Sequence, residues 1–134
     1  MKRALTLLVL PLLLVVSGCS LLGSGDWEEV RVNVQSTGDK PSFSAVVTPT
    51  KATFTVDGKQ TSQDLPTGTW QIITAGLSSL GDRKAEKCPD GEVVKVEARA
   101  EGAVKFSFGA SSCDAEDALS RVRPLIDQLV ALLR

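Results

Sequence analysis

The sequence predicts an α+β fold: a small antiparallel sheet of two hairpins plus additional N-terminal strands, with two helices packed on one face and one disulfide. Three observations predict it. Apolar residues alternate with a period of two over Val30–Val56 and again over Val94–Phe108, the pattern of strands buried on one side only. Two other stretches, near 70–80 and 119–133, switch to spacings of three and four, the pattern of helices with one apolar stripe. Finally, Cys88 and Cys113 flank the second hairpin, one on each side.

The first strand places Val30, Val32 and Val34 on one face and Glu29, Arg31, Asn33 and Gln35 on the other. Trp27 opens that pattern. Its indole suits either a membrane surface or the core, and the patterned strand beside it favours the core. Residues 36–42, STGDKPS, are turn chemistry. Phe43, Ala45 and Val47 resume the alternation until Pro49, which lacks an N–H and so ends the run or confines it to an edge. Ala52, Phe54 and Val56 then lead into Asp57-Gly58, a hairpin turn in which both positions need positive φ, with Lys59 to Ser62 as a short return strand. A calcium or substrate role for Asp57 is the sharper alternative, but residues of this kind at a turn are usually structural.

Beyond Asp64 the period changes. Trp70, Ile73, Leu77 and Leu80 share one helical face, with Asp64 or Thr67 placed to cap it and Gly81 placed to end it. Gly76 and the β-branched Ile72, Ile73 and Thr74 keep a strand over 69–74 as the alternative. GDRKAEK, residues 81–87, reads as a solvated mixed-charge loop. In the second hairpin Val94, Val96 and Ala98 alternate, the chain turns at AEG, and Val104, Phe106 and Phe108 alternate again. With the turn centred between Ala100 and Glu101, Cys88 and Cys113 stand equally far before and after it, so antiparallel pairing brings them opposite each other. In an oxidising compartment they form a disulfide whose loop closure contributes on the order of 3 kcal/mol. A reactive dithiol or a metal pair is disfavoured by the lack of CxxC spacing and of a histidine partner. Asp114, Glu116 and Asp117 then open a terminal helix, where acids favour the positive end of the dipole. Its stripe is Leu119, Val122, Ile126, Leu129 and Leu133, and Pro124 either kinks it or divides it in two.

The N-terminus carries different information. Lys2 and Arg3 precede an apolar run from Ala4 to Val16, which ends in the small residues Ser17 and Gly18. That is the layout of a secretory signal; a transmembrane span needs about 20 apolar residues, and this run is shorter and holds Pro11. Val16-Ser17-Gly18-Cys19 resembles the lipobox of bacterial lipoproteins. The resemblance implies cleavage between Gly18 and Cys19, a diacylglycerol on the Cys19 thiol, and acylation (palmitate or a similar chain) of the new amino group. Two or three acyl chains anchor stably where one binds only marginally. The predicted organisation is therefore a cleaved lipoprotein signal peptide (1–18), a lipidated Cys19 with its tether (19–26), and a single α+β domain (27–134). Seven tether residues reach at most ~25 Å, so the domain sits close to the bilayer. Leu21 and Leu22 serve either as linker or as interfacial contacts.

Composition narrows the function classes. The chain has no histidine, which removes the commonest general base and the His-containing nucleophile pairs and metal sites. It also lacks a phosphate-cradling Gly-rich loop, a CxxC and a calcium loop. No catalytic residue, metal ligand or cofactor is assigned, and the reading is not an enzyme. Without Lys2 and Arg3 the side chains carry three more acids than bases, which argues against nucleic acid as a partner.

From about Thr53 onward, TFTVDGK, TWQIITAGLSSL, CPDGEVVKVEARAEGAVKFSF and LSRVRPLIDQLVALL together resemble small bacterial domains related to emfourin, a proteinaceous inhibitor of thermolysin-type metalloproteases. The resemblance implies a hairpin–helix–hairpin–helix fold and protease inhibition. The expectation is a membrane-anchored extracytoplasmic lipoprotein acting as a non-enzymatic binding domain for an envelope or extracellular protein. The alternative is an envelope lipoprotein that binds a small ligand or lipid in a cavity between sheet and helices. Either the cell membrane or an outer membrane carries the anchor. Replacing Cys19→Ala should remove the acyl mass from the intact protein and move it to the soluble fraction, which mass measurement after fractionation checks.

Overall fold

The computed structural model describes residues 27–133; the predicted signal, Cys19 and the tether lie outside the described residues. The chain runs β1 (Glu29–Gln35), β2 (Phe43–Val47), β3 (Lys51–Val56), β4 (Lys59–Asp64), α1 (Thr69–Ser78), β5 (Val93–Ala100), β6 (Ala103–Ser111) and α2 (Ala118–Leu132). The strands form one sheet in the order β4-β3-β2-β1-β5-β6, and every neighbouring pair is antiparallel. The predicted fold class is the observed one.

The period-two residues explain the layering. Val30, Val32, Val34, Phe43, Ala45, Phe54, Val94, Val96 and Phe108 all turn to the same side, where α1 and α2 cover them. The intervening residues of these strands face the other way, where neither α1 nor α2 covers them. The two helices cross the sheet in opposite senses. The chain leaves the β4 edge, where the Leu65 N–H donates to the Thr50 carbonyl, and α1 delivers it to β6, where the Asp82 carboxylate accepts from the Ser107 N–H. Helix α2 starts beyond β6 and returns to β4, where the Gln63 amide donates to the Leu132 carbonyl at 2.6 Å. Sheet and helices thus bury each other, and a chain cut to start at Asp26 carries this core.

Local chemistry sets the turns. Asp57 and Gly58 have φ of 50° and 77°, and Glu101 and Gly102 have φ of 54° and 74°, the paired positive values that a two-residue hairpin turn requires. The second turn is centred between Glu101 and Gly102, one residue later than predicted, and an irregularity at Ala98/Arg99 shifts the register again. The ladder ends at Val93↔Ser111, short of both cysteines. Cys88 and Cys113 are nevertheless disulfide-bonded, with their Cα atoms 5.5 Å apart. A turn closed by the Gly91 N–H on the Cys88 carbonyl, at 3.2 Å, folds Cys88 back to its partner. Gly91 makes this possible, because a Cβ there would lie 2.1 Å from the Cys88 sulfur. The predicted pairing is right, but a local turn makes it rather than strand register.

Residues 69–78 are helical, so the strand alternative fails there. Ile73, Thr74 and Leu77 are buried, and Trp70 and Leu80 pack at the margin of the core. Thr74 tolerates its mid-helix position by donating its hydroxyl to the Trp70 carbonyl at 3.0 Å. Neither Asp64 nor Thr67 caps the helix: Asp64 belongs to β4, and the N-cap is Gly68, at φ 86° without a side-chain bond. In α2 the cap is Asp117, whose carboxylate accepts from the Ser120 N–H. Pro124 neither divides α2 nor ends it. Pro124 and Ser120 both lie on the exposed face, so the carbonyl that loses its donor turns to solvent. Pro124→Ala restores that donor and should raise stability by about 1–2 kcal/mol, less than the full helix-interior proline penalty because the unfolded chain gains freedom, as read by urea unfolding.

Candidate functional site

The two edges of the sheet differ, and the difference starts with residues 82–86. This segment, predicted to be a solvated loop, runs along β6 as a strap. The Arg83 N–H donates to the Ser107 carbonyl at 3.0 Å, and the Gly109 N–H donates to the Arg83 carbonyl at 2.8 Å. Two carboxylates complete the edge: Asp82 accepts from the Ser107 N–H at 3.0 Å and Asp114 from the Ser111 N–H at 2.7 Å. Gly109 lets the strap close in, since a Cβ there would lie 2.7 Å from the Ala85 nitrogen. An edge that would otherwise expose unpaired backbone is sealed.

Asp114 holds this arrangement. Its side chain is 0% exposed and takes three donors: the Ser111 N–H, the Glu86 N–H at 2.8 Å and the Arg83 guanidinium at 2.9 Å. Burial alone raises its pKa, but the amide bonds from Glu86 and Ser111, then the hydrogen bond and charge of Arg83, outweigh that and leave it lowered. The sequence reading put Asp114 with Glu116 and Asp117 at a helix start; it is a buried edge residue instead, and Asp117 alone caps. A second carboxylate, Glu92, receives both Arg123 nitrogens at 3.0 and 3.3 Å, fastening α2 to the start of β5. The Glu92 hydrogen bond in turn raises the Arg123 pKa. Lys40 approaches the same carboxylate at 3.7 Å.

The uncovered sheet face is the functional candidate. Over β1 and β5 it carries ion pairs along each strand, Arg31 with Glu29 and Lys95 with Glu97, the latter at 3.0 Å. Over β2 to β4 it carries mainly hydroxyls and amides, with Lys51 opposite Asp64 at one end; Ser44 stands opposite Asn33 and Thr55, and the Thr53 and Ser62 hydroxyls meet at 2.7 Å. Val46 is its apolar centre. Where the strap rises over β6, a cleft of about 670 Å³ opens between Asp82–Ala85 on one side and Lys95, Ser107 and Gly109 on the other. A smaller depression of about 330 Å³ continues across Arg31, Asn33 and Ser44.

Such a face offers shape and hydrogen-bonding groups. Six strands ~4.8 Å apart and about 18 Å long give an area on the order of 500 Å². That is short of the ~800 Å² per partner of a standard interface, which this face would reach only together with the cleft and the rim. The space between sheet and helices, where the ligand reading places its cavity, is filled by buried side chains such as Phe54, Phe108, Ile73, Leu77 and Leu129. Among the described residues no group of three or more His, Cys, Asp or Glu side chains is placed to hold a metal, and no helix is long and apolar enough to cross a membrane.

Of the residues singled out in the sequence, Cys88 and Cys113 are brought together and Cys19 lies outside the described residues. Trp27 joins the core margin, its ring 5.5 Å from that of Phe106, and Asp57 is a turn residue. Sequence reasoning missed Asp82, Arg83 and Glu92; the one available signal was Gly109 in an otherwise well-patterned strand, the mark of a close backbone approach. No protein-family model, no curated protein and no solved structure matches the chain.

Asp114→Asn should cost about 3 kcal/mol at neutral pH, because it leaves the Arg83 charge without its partner. A lowered folded-state pKa means that Asp114 contributes fully above the unfolded carboxyl value near 3.9, and that the contribution is lost as pH falls from there through the folded value. The wild type should therefore lose stability across that acid range, and Asp114→Asn should lose less, as urea unfolding at pH 7 and at pH below about 4 would show.

Proposed function

We propose that this chain is a membrane-anchored extracytoplasmic lipoprotein whose domain is a non-enzymatic binding module, holding an envelope or extracellular protein on the open face of its sheet. The observation that carries the reading is that face: a polar, uncovered surface with a cleft at one side, on a domain whose other sheet face is spent on the core. The Cys88–Cys113 disulfide supports an oxidising compartment, which is where an exported domain resides. The buried carboxylates support a binding role as well, since Asp114 and Glu92 are both taken up in fastening the fold. The lipobox-like Val16-Ser17-Gly18-Cys19 supplies the anchor, and the emfourin-like order of elements makes a protease the first partner to test.

The test uses the chain from Asp26 onward as bait in an envelope extract and as an inhibitor of thermolysin-type proteases at stoichiometric dose. A variant carrying Asn33→Glu and Ser44→Arg covers the face with two long side chains. These two positions oppose each other across β1 and β2, so their charges pair and the sheet is kept. The expected result is capture of one envelope protein, or inhibition, that the double variant loses with its circular dichroism unchanged. Capture that the double variant retains would move the site off this face, and no capture and no inhibition would overturn the reading.

A further inference from the structure

The strap seals β6, but nothing among the described residues seals β4. Val56 and Lys59 flank a two-residue turn and form a hydrogen-bonded pair, so Lys59, Thr61 and Gln63 bond β3 while Gln60, Ser62 and Asp64 direct N–H and C=O outward. The next bond in that alternation, from the Leu65 N–H to the Thr50 carbonyl, is present at 2.9 Å. All six β4 residues are exposed. The usual protections of an edge are missing from its middle: Gln60, Thr61, Ser62 and Gln63 are uncharged, with no proline and no bulge. Its two charges, Lys59 and Asp64, stand at opposite ends and have opposite signs.

We propose that the β4 edge pairs with β4 of a second copy of this chain, antiparallel about a twofold axis at Ser62. This register opposes the outward backbone groups of Gln60, Ser62 and Asp64 to those of Asp64, Ser62 and Gln60 of the second copy. Every free group then finds a partner, and the two sheets become one. Charge favours the second copy as occupant. Antiparallel pairing keeps the two Lys59 residues at opposite ends of the seam, likewise the two Asp64 residues, and sets each Asp64 against a Gln60 amide. The helix layer contributes too. Gln63 holds the end of α2 at this edge, and Leu133, 36% exposed, follows directly after it. The pairing leaves the opposite edge and the open face free, so it stands apart from the binding role proposed above.

Sedimentation of the chain from Asp26 onward, over a concentration series, tests this. The expected result is a reversible dimer in which the Gln60, Ser62 and Asp64 amides exchange more slowly as concentration rises. Gln60→Glu, which sets a like charge against Asp64 twice per dimer, should weaken it about 5-fold, and Gln60→Lys should strengthen it to a similar degree. Ser62→Pro removes the central donors and should abolish it; the Gln60 pair keeps the test intact if that variant does not fold. A monomer up to about 1 mM overturns the proposal. So does a dimer insensitive to all three variants, or β4 amides protected by an unrelated extended peptide rather than by a second copy.

Discussion

Taking the Asp114 carboxylate out of water carries a desolvation cost of several kcal/mol, and the surroundings of β6 are arranged to offset it. The guanidinium of Arg83 neutralises the charge, and two main-chain amides fill further lone pairs. Arg83 also reaches the Gly109 carbonyl, and the Ser111 hydroxyl donates to Glu86, so strap, strand and the segment leading to α2 are joined at one point. The disulfide lies one residue from Asp114 and closes the same corner. Without the carboxylate the strap keeps its main-chain bonds to Ser107 and Gly109 and the Asp82 contact, but the Arg83 charge loses its partner and the Ser111 and Glu86 amides lose their acceptor.

What the sequence made legible, and what it did not, follows from range. Val30-Val32-Val34 and Val94-Val96-Ala98 are readable because burial on one face imposes a period of two on consecutive residues. Asp57-Gly58 is readable because the turn needs positive φ at adjacent positions. The strap is not, since Asp82 and Arg83 look like solvated charge until the edge of β6 and Asp114 are placed beside them. Pro124 reads as a break because a proline inside a helix usually is one; only the exposure of its face shows why this one is tolerated. For the candidate face, the alternation already marked Arg31, Asn33 and Gln35 as outward. The cleft, which depends on where the strap rises, had no local signature.

In the binding role proposed above, a face of paired charges and hydroxyls would act by recognition. Ion pairs within one strand keep each charge partly neutralised, so a partner docking on Arg31 or Lys95 would strand no isolated ion. The hydroxyl half offers donors and acceptors at the regular spacing of the strands, which rewards a flat, complementary surface more than a small molecule.

The order of strands has one more consequence. β1 begins two residues after Trp27 and occupies the interior of the sheet, paired along most of its length to β2 on one side and β5 on the other. Any tension passed through the chain preceding Trp27 therefore acts along a strand gripped from both flanks. Sliding β1 out would break the bonds of two ladders together, whereas an edge strand can be peeled away one bond at a time. The domain takes a pull where its sheet is mechanically strongest.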